Sequence, residues 1–303
     1  MTEYRAEFDF KISFTNGGGI EGQGFRLDVS GPDLSPDAVG TSLVRHLGLL
    51  MVGDVTLTHL QFVAEPHRGS RDVDRALPTG RSVIDLSHPI SHGMVTYPGL
   101  PGPEITDHLT REAAEASYGP GVTFQIGRIS MVANTGTYVD SPFHRFAGGA
   151  DLAGIDLARH ADLDGVVVRL TDRDRRGITP EELAAIDVAG RAVLLHTGWD
   201  RHWRTEQYAV DAPFLTAAAT SWLVDHGVGL VGTDSINIDD MADKTRPAHT
   251  GLLGAGIPIV EHLCHLDRLP ATGGSGSAFR FHAVPPAVEG FGTFPVRAYA
   301  VLA

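Results

Sequence analysis

Between residues 165 and 235 the chain repeats a pattern that few folds can satisfy. Short unbroken apolar runs, "GVVVRL" (165–170), "RAVLLHTG" (191–198) and "VGLVGTDS" (228–235), are interleaved with stretches of helical character such as "TAAATSWLVDHG" (216–227). A strand with one wet face alternates apolar and polar residues, so a run without alternation needs cover on both faces. β-Branched runs separated by helices therefore predict buried strands in a mixed or parallel sheet with helical cover, an α/β architecture. "TPEELAAI" (179–186) opens one helix, with Thr179 placed as N-cap and Glu182 at capping-box spacing. "SVIDLSHPI" begins this region and "PVRAYAVLA" reads as its closing strand.

The first 65 residues follow a different rule. "EFDFKISFTNGGGIEGQGFRLDVSG" holds two alternating stretches around "TNGGG", a hairpin signal. "SPDAVGTSLVRHLGLLMVG" opens with Ser-Pro and spaces Ala38, Leu43, Leu47 and Leu50 near a helical period, and "DVTLTHLQFVAE" alternates again as a third strand. These predict a small α+β accessory unit over 1–65. The turn-rich "PHRGSRDVDRALPTGRS" (66–82) is the expected linker, with the main domain over 83–303.

In a chain of 303 residues, 42% apolar content with 20% charged residues predicts a folded protein with ample core. The net charge of −13, from 24 basic and 37 acidic residues, disfavours nucleic acid and anionic membrane as partners, since both select basic patches. Cys264 is the only cysteine, which rules out an intrachain disulfide and suits a reducing compartment. Its place in "EHLCHLD" reads as core in an apolar helix rather than as a reactive thiol. The start "MTEYRAEFDF" lacks the basic-then-apolar order of a signal peptide, and no apolar stretch approaches membrane-spanning length. A cytoplasmic location is expected.

Three polar groups follow apolar runs, where strand ends make side chains converge on a rigid frame. They are "NTGTYVDSPFH" (134–144), "GTDSINIDD" with Asp234 and Asp239, and "RPAHTGLLGAGIPIVEHL" with His249 and Glu261. Asp, His and Glu together offer the oxygen and nitrogen ligands that divalent metals take. Each also has an ordinary reading: Asp140 before Ser-Pro suits an Asx turn, His144 and His249 suit a surface, and Glu261 suits the first turn of a helix. With 15 histidines in the chain, some stand near carboxylates by chance. P-loop, GxSxG and HExxH motifs are absent from the sequence.

The segment from Val83 to Ala303 resembles the cyclase family of metal-dependent hydrolases, which includes bacterial kynurenine formamidase and isatin hydrolase. The resemblance runs through "DLSHPI" followed by "YPG", "GTYVDSPFH", "LLHTGW", "LVGTDSINID", "AHTGLLGAGIPIVEHL" and the ending "FPVRAYAVLA". It implies a swivelling β/α/β domain with a mixed sheet, preceded here by an N-terminal unit outside the common pattern. Family members typically show HxGTHxDxPxH. The two leading histidines, ligands of one metal, fall on Asn134 and Tyr138; the bridging aspartate falls on Asp140 and the acid/base histidine on His144. The later metal-binding histidine and glutamate fall on His249 and Glu261, and the pocket aromatic on Tyr97. An amide oxygen is a poor zinc ligand, and a phenol must lose a proton of pKa near 10 to bind well. The resemblance thus implies at most one divalent ion, zinc or manganese, on Asp140, His249 and Glu261.

Two enzyme readings follow. In the first, a hydrolase opens the C–N bond of a small amide or lactam, or a lactone, often aromatic, with one metal and His144 moving the proton. In the second, a metal-free cyclase, dehydratase or isomerase uses Tyr138 and Asn134 toward an oxyanion or carbonyl, with Asp140 and Glu261 as an acid–base pair. A third reading, a catalytically inactive binding subunit, leaves the shared presence of His144, His249 and Glu261 unexplained. The partner expected is a small-molecule substrate, and the resemblance implies a homodimer or homotetramer.

Overall fold

Alternation in the N-terminal stretch becomes a three-stranded antiparallel sheet, ordered β2-β1-β3. Its strands are β1 (Thr2–Phe14), β2 (Gly19–Val29) and β3 (Val52–Pro66). Ala6, Phe8, Phe10 and Ile12 share one face of β1 and are buried with Leu27, Val39 and Leu43, the last two from α1 (Pro36–His46). The Ser35 side chain caps α1 by accepting from Ala38 N. The helix stops earlier than its apolar spacing suggested. Gly48 takes φ +62°, and Leu49 N returns to Val44 O, a turn that ends helices at glycine. Leu50 consequently lies beyond the helix and is 83% exposed, while Val39, Gly40 and Leu43 form the buried stripe.

The computed structural model describes residues 2–29, 31–66, 82–270 and 279–302. It divides into two compact units, Met1–Leu77 and Pro78–Ala303. Apart from Pro66 and Ser82, the linker expected over 66–82 lies outside the described residues.

The second unit is α/β and holds a nine-stranded mixed sheet ordered β15-β7-β13-β12-β10-β8-β14-β16-β4. Its parallel centre comprises β8 (Leu163–Arg169), β10 (Ala192–His196), β12 (Leu230–Thr233) and β13 (Ile259–Glu261). Antiparallel strands flank it: β7 (Tyr138–Asp140) and β15 (Thr293–Pro295) on one side, β14 (Phe279–His282), β16 (Tyr299–Leu302) and β4 (Val83–Asp85) on the other. The continuous apolar runs have the expected cause. Val166, Val168, Val193, Leu195 and Val231 pack with residues of α3 (Pro180–Leu183), α4 (Ala217–Asp225) and α5 (Pro247–Gly254) on one face. Val167, Leu194, Leu230 and Val260 pack with Phe279, Phe281 and Ala300 on the other. Two short ribbons complete the unit: β9 (Gly177–Ile178) with β11 (Phe214–Leu215), and β5 (Glu104–Leu109) with β6 (Ile126–Ser130), the latter flanking α2 (Arg111–Tyr118). Cys264 is buried, but it follows β13 in an irregular segment rather than sitting in a helix, and burial pushes its thiol up to about 12. No described helix is long and apolar enough to cross a membrane.

His88 and His160 titrate near 4, in both cases because burial disfavours the imidazolium, with the charges of His265 and Arg159 respectively adding to it. In the unfolded chain both return to about 6.5. Between those values the unfolded state binds more protons, so their contribution is complete above about pH 6.5 and is lost as pH falls toward 4. Asp234 and Glu261, both raised to about 7, act in the opposite direction over this window, so the test is differential: the urea midpoint of His160→Gln is expected to rise relative to that of the wild type between pH 7 and pH 4.5. A difference between variant and wild type that stays constant over that window contradicts the assignment.

Candidate active site

Strand register assembles the site. In the antiparallel β7–β13 pair, Tyr138 stands directly across from Glu261, and two residues on, on the same face, comes Asp140. The Tyr138 hydroxyl donates to Glu261 Oε2 at 2.6 Å, while Glu261 Oε1 accepts from Ile238 N at 2.7 Å. On the other edge of β7, Thr293 stands across from Asp140 and its hydroxyl donates to Asp140 Oδ1.

His144 ends a 3-10 turn, Pro142–His144, and brings Nδ1 to 2.7 Å from Thr293 Oγ1. The threonine proton is directed at Asp140, so His144 Nδ1 donates to the hydroxyl and Nε2 is left as the free acceptor. This contact needs a glycine beside it: a Cβ on Gly292 would stand 2.2 Å from His144 N. Gly136 serves the preceding turn, at φ +66° and with its N–H bonded to Thr96 Oγ1 at 2.8 Å.

His249 comes from the first turn of α5. Asp239 accepts from the amides of Ala248 (2.6 Å) and His249 (3.1 Å) and from His249 Nδ1 (2.6 Å), so one carboxylate caps the helix and orients the ring. His249 Nε2 then faces Asp140 Oδ2 at 3.6 Å and Glu261 Oε1 at 3.8 Å. Asp140 Oδ2 is buried without a hydrogen-bond partner. Ligands held at about 2.1 Å in a tetrahedral site stand about 3.4 Å apart. An orphaned carboxylate oxygen and a ring nitrogen whose other nitrogen is already tied suit one divalent cation, and Glu261 stands on the far side of that same nitrogen. Among the described residues, the three whose ligand atoms all lie within 4.8 Å of one another are Asp140, His144 and His249, so His144 rather than Glu261 completes the tightest set around Asp140 and His249.

The charges follow from burial and neighbours. Burial works to raise the carboxyl of Asp140, but the facing His249 ring, His144 and Thr293 together hold it below the usual range. Glu261 is raised to about 7, first by burial and then by Asp140, against the opposing effects of His249, Tyr138 and the Ile238 amide. Burial disfavours charge on His249 too, yet the facing Asp140 carboxylate, the hydrogen bond to Asp239 and the charge of Glu261 lift it to about 10. With no cation bound, the imidazolium balances the carboxylates; a bound cation takes over that charge and displaces the Nε2 proton. Burial, then the charges of Glu261 and Asp140, hold Tyr138 well above 10, so it remains a phenol and a donor.

Behind Tyr138 lies a directional chain. Burial lowers His262 to about 3, and this neutral ring sits with Nε2 3.3 Å from the Tyr138 hydroxyl and Nδ1 3.0 Å from the Tyr208 hydroxyl. Tyr138 already donates to Glu261, so His262 Nε2 donates to Tyr138 and Nδ1 accepts from Tyr208.

Tyr97, Asn134, Tyr138, His144, His249 and Glu261 line one cavity of about 460 Å³, with Asp140 fully buried beside it. The chain motifs therefore bring these seven residues to one place. Glu261 ends a strand instead of opening a helix, and Asp140 lies in a strand. Asp234 does not line the cavity. It is buried and ties the ends of β12 and β10 together by accepting from Thr197 N, Thr197 Oγ1 and Gly198 N; burial raises it to about 7. Sequence reasoning missed Thr293, Asn237, Arg145, Arg246, His262 and Tyr208, none of which stands in a recognisable spacing with the others.

A family model described as putative cyclase matches residues 84–240, and the chain belongs to that cyclase family. It is similar to kynurenine formamidase of Bacillus cytotoxicus, at 27% identity over 216 residues, spanning 71% of this chain and 95% of the relative. Kynurenine formamidase of Erythrobacter litoralis is 29% identical over 198 residues, 63% of this chain and 82% of its own. A solved structure described as a potential metal-dependent hydrolase with cyclase activity superposes with TM-score 0.59 at 26% identity, covering 74% of this chain and 99% of that one. Isatin hydrolase A from Ralstonia solanacearum shares the fold, with TM-score 0.62 at 23% identity over 74% of this chain and 92% of its own.

The bridging hydroxyl can be tested without a substrate. Thr293→Val leaves Asp140 Oδ1 and His144 Nδ1 without that partner and is expected to destabilise the protein by about 1–3 kcal/mol, with Thr293→Ser restoring most of the loss. Equal stability of the Val and Ser variants in denaturant melts would show that the hydroxyl is not the bridge.

Proposed function

We propose that the protein hydrolyses a small amide, lactam or lactone with an aromatic or cyclic body, using one divalent ion and His144 as the proton carrier. The observation that carries this is the placement of His144. Its Nδ1 is fixed through Thr293 to Asp140, and the ring opens on the cavity where Asp140, His249 and Glu261 converge. That leaves Nε2 to accept a proton from attacking water and return it to the leaving nitrogen or oxygen. Asp140, His249 and Glu261 would hold the ion, zinc or manganese. When bound, it supplies Lewis acidity to the substrate carbonyl and to water. The Tyr138 hydroxyl and Asn134 amide offer hydrogen bonds at the cavity wall, and Tyr97 offers an aromatic face. The relatives named as kynurenine formamidases support an aromatic amide as the substrate class.

The hydrogen bond from Tyr138 to Glu261 favours a second reading, a metal-free lyase or isomerase, because it satisfies that carboxylate with a neutral donor. Metal content and activity separate the two. Under the hydrolase reading, elemental analysis gives at most one ion per chain and a strong chelator abolishes turnover of aryl formamides or lactams. His144→Ala lowers turnover by about two to four orders of magnitude with metal retained, and His249→Ala removes metal and activity together. Metal lost from His144→Ala would favour the Asp140, His144, His249 triad. Two tightly bound zinc ions per chain, or activity that survives chelation, would sink the one-metal hydrolase.

A homodimer or homotetramer is part of the same proposal. The β5–β6 ribbon exposes Ile105 and its cross-strand partner Ile129 on one face, an apolar pair suited to pairing with another chain. Light scattering at micromolar concentration is expected to give two or four chains; a monomer there contradicts it.

A further inference from the structure

Beside the carboxylates, the same cavity is lined by two guanidinium groups, Arg145 and Arg246. Their chain positions set them next to the reacting groups, one residue after His144 and three before His249. Both are held by neutral partners. Arg145 Nε donates to Thr250 Oγ1 at 3.2 Å, and Arg246 Nη1 donates to Asn237 Oδ1 at 3.1 Å. Asn237 is itself buried, and the same oxygen accepts from Asp239 N at 2.9 Å, so the anchor of Arg246 is rigid. Arg246 also takes φ +51°, a left-handed conformation unfavourable for a residue that carries a Cβ, at the N-cap of α5.

Among the described residues neither guanidinium forms an ion pair with a carboxylate. Asp243 feels the charge of Arg246, but it is lowered first by the Thr245 hydroxyl and amide and only last by Arg246. Asp140 and Glu261 are balanced by His249 and their own hydrogen bonds, not by either arginine. Each guanidinium therefore keeps N–H groups unspent at the cavity. In a chain of net charge −13, with two carboxylates in this same site, an anionic ligand would otherwise be repelled.

We infer that Arg145 and Arg246 form a clamp for a carboxylate on the substrate, remote from the bond that is cleaved. This rests on the reading of the cavity as an amide-hydrolase site and narrows its substrate class to amides or lactams that carry a free carboxylate. Guanidinium suits the role because its planar fork meets both carboxylate oxygens.

The test compares binding of 3-phenylpropanoate and its neutral counterpart 3-phenylpropan-1-ol, by calorimetry, to the full-length wild type and to Arg145→Gln, Arg246→Gln and the double variant. The wild type is expected to favour the carboxylate. Each single variant should lose about tenfold or more of carboxylate affinity, the usual worth of a charge-assisted hydrogen bond, with the alcohol changed by less than about twofold. Arg145 is exposed, so its variant stands even where Arg246→Gln disturbs α5. Equal affinity for the two ligands in the wild type, or a preference that persists in the double variant, overturns the clamp. Binding is scored without turnover: a carboxylate preference lost in the variants supports the clamp even in a protein that hydrolyses nothing. Amide hydrolysis without such a preference removes the clamp and leaves the hydrolase reading standing.

Discussion

Asp140 has no exposed surface, and a carboxylate in that position is tolerated only when its surroundings replace the water it has lost. Much of the site can be derived from that requirement. One oxygen takes the Thr293 hydroxyl, which in turn fixes His144; the other faces His249, which Asp239 fixes from behind. Removing any single partner would leave a buried charge or an unpaired donor. The arrangement is thus stiff because its alternatives are costly, and that stiffness is what a reacting group needs.

The fold was largely legible because its signals are local. Runs such as "GVVVRL" are continuous since both faces of β8 are covered, and Thr179 with Glu182 forms the capping box that its spacing announced. The end of α1 was misread because apolar spacing continues past Gly48, where backbone conformation rather than side-chain pattern decides. The helix bearing His249 hides its start in a comparable way. Position 246 carries an arginine, not a capping residue, and the cap is supplied by Asp239 from an earlier loop.

For the site itself, the motif residues Asn134, Tyr138, Asp140, His144, His249 and Glu261 were placed by resemblance, whereas their supports were not. Thr293 lies 149 positions from the histidine it touches, and a lone threonine before a phenylalanine carries no pattern. The pairing of Tyr138 with Glu261 is a matter of strand register across 123 positions, which no spacing in one sequence encodes. Conversely, Asp234 looked like a site residue because acids after buried strands often are. The structure uses it to close the gap between two strand ends.

The cavity draws its parts from two kinds of support. Tyr138, Asp140 and Glu261 belong to buried strands paired on both edges, β7 and β13, whereas Arg145 and Arg246 belong to the turns outside the sheet. A change at a turn residue leaves the sheet register untouched, and a change in a strand paired on both edges shifts everything hydrogen-bonded to it. Natural drift and laboratory evolution should therefore meet unequal resistance in the two layers. Ligand preference is the trait open to gradual retuning, and the reaction itself is inherited nearly whole or lost.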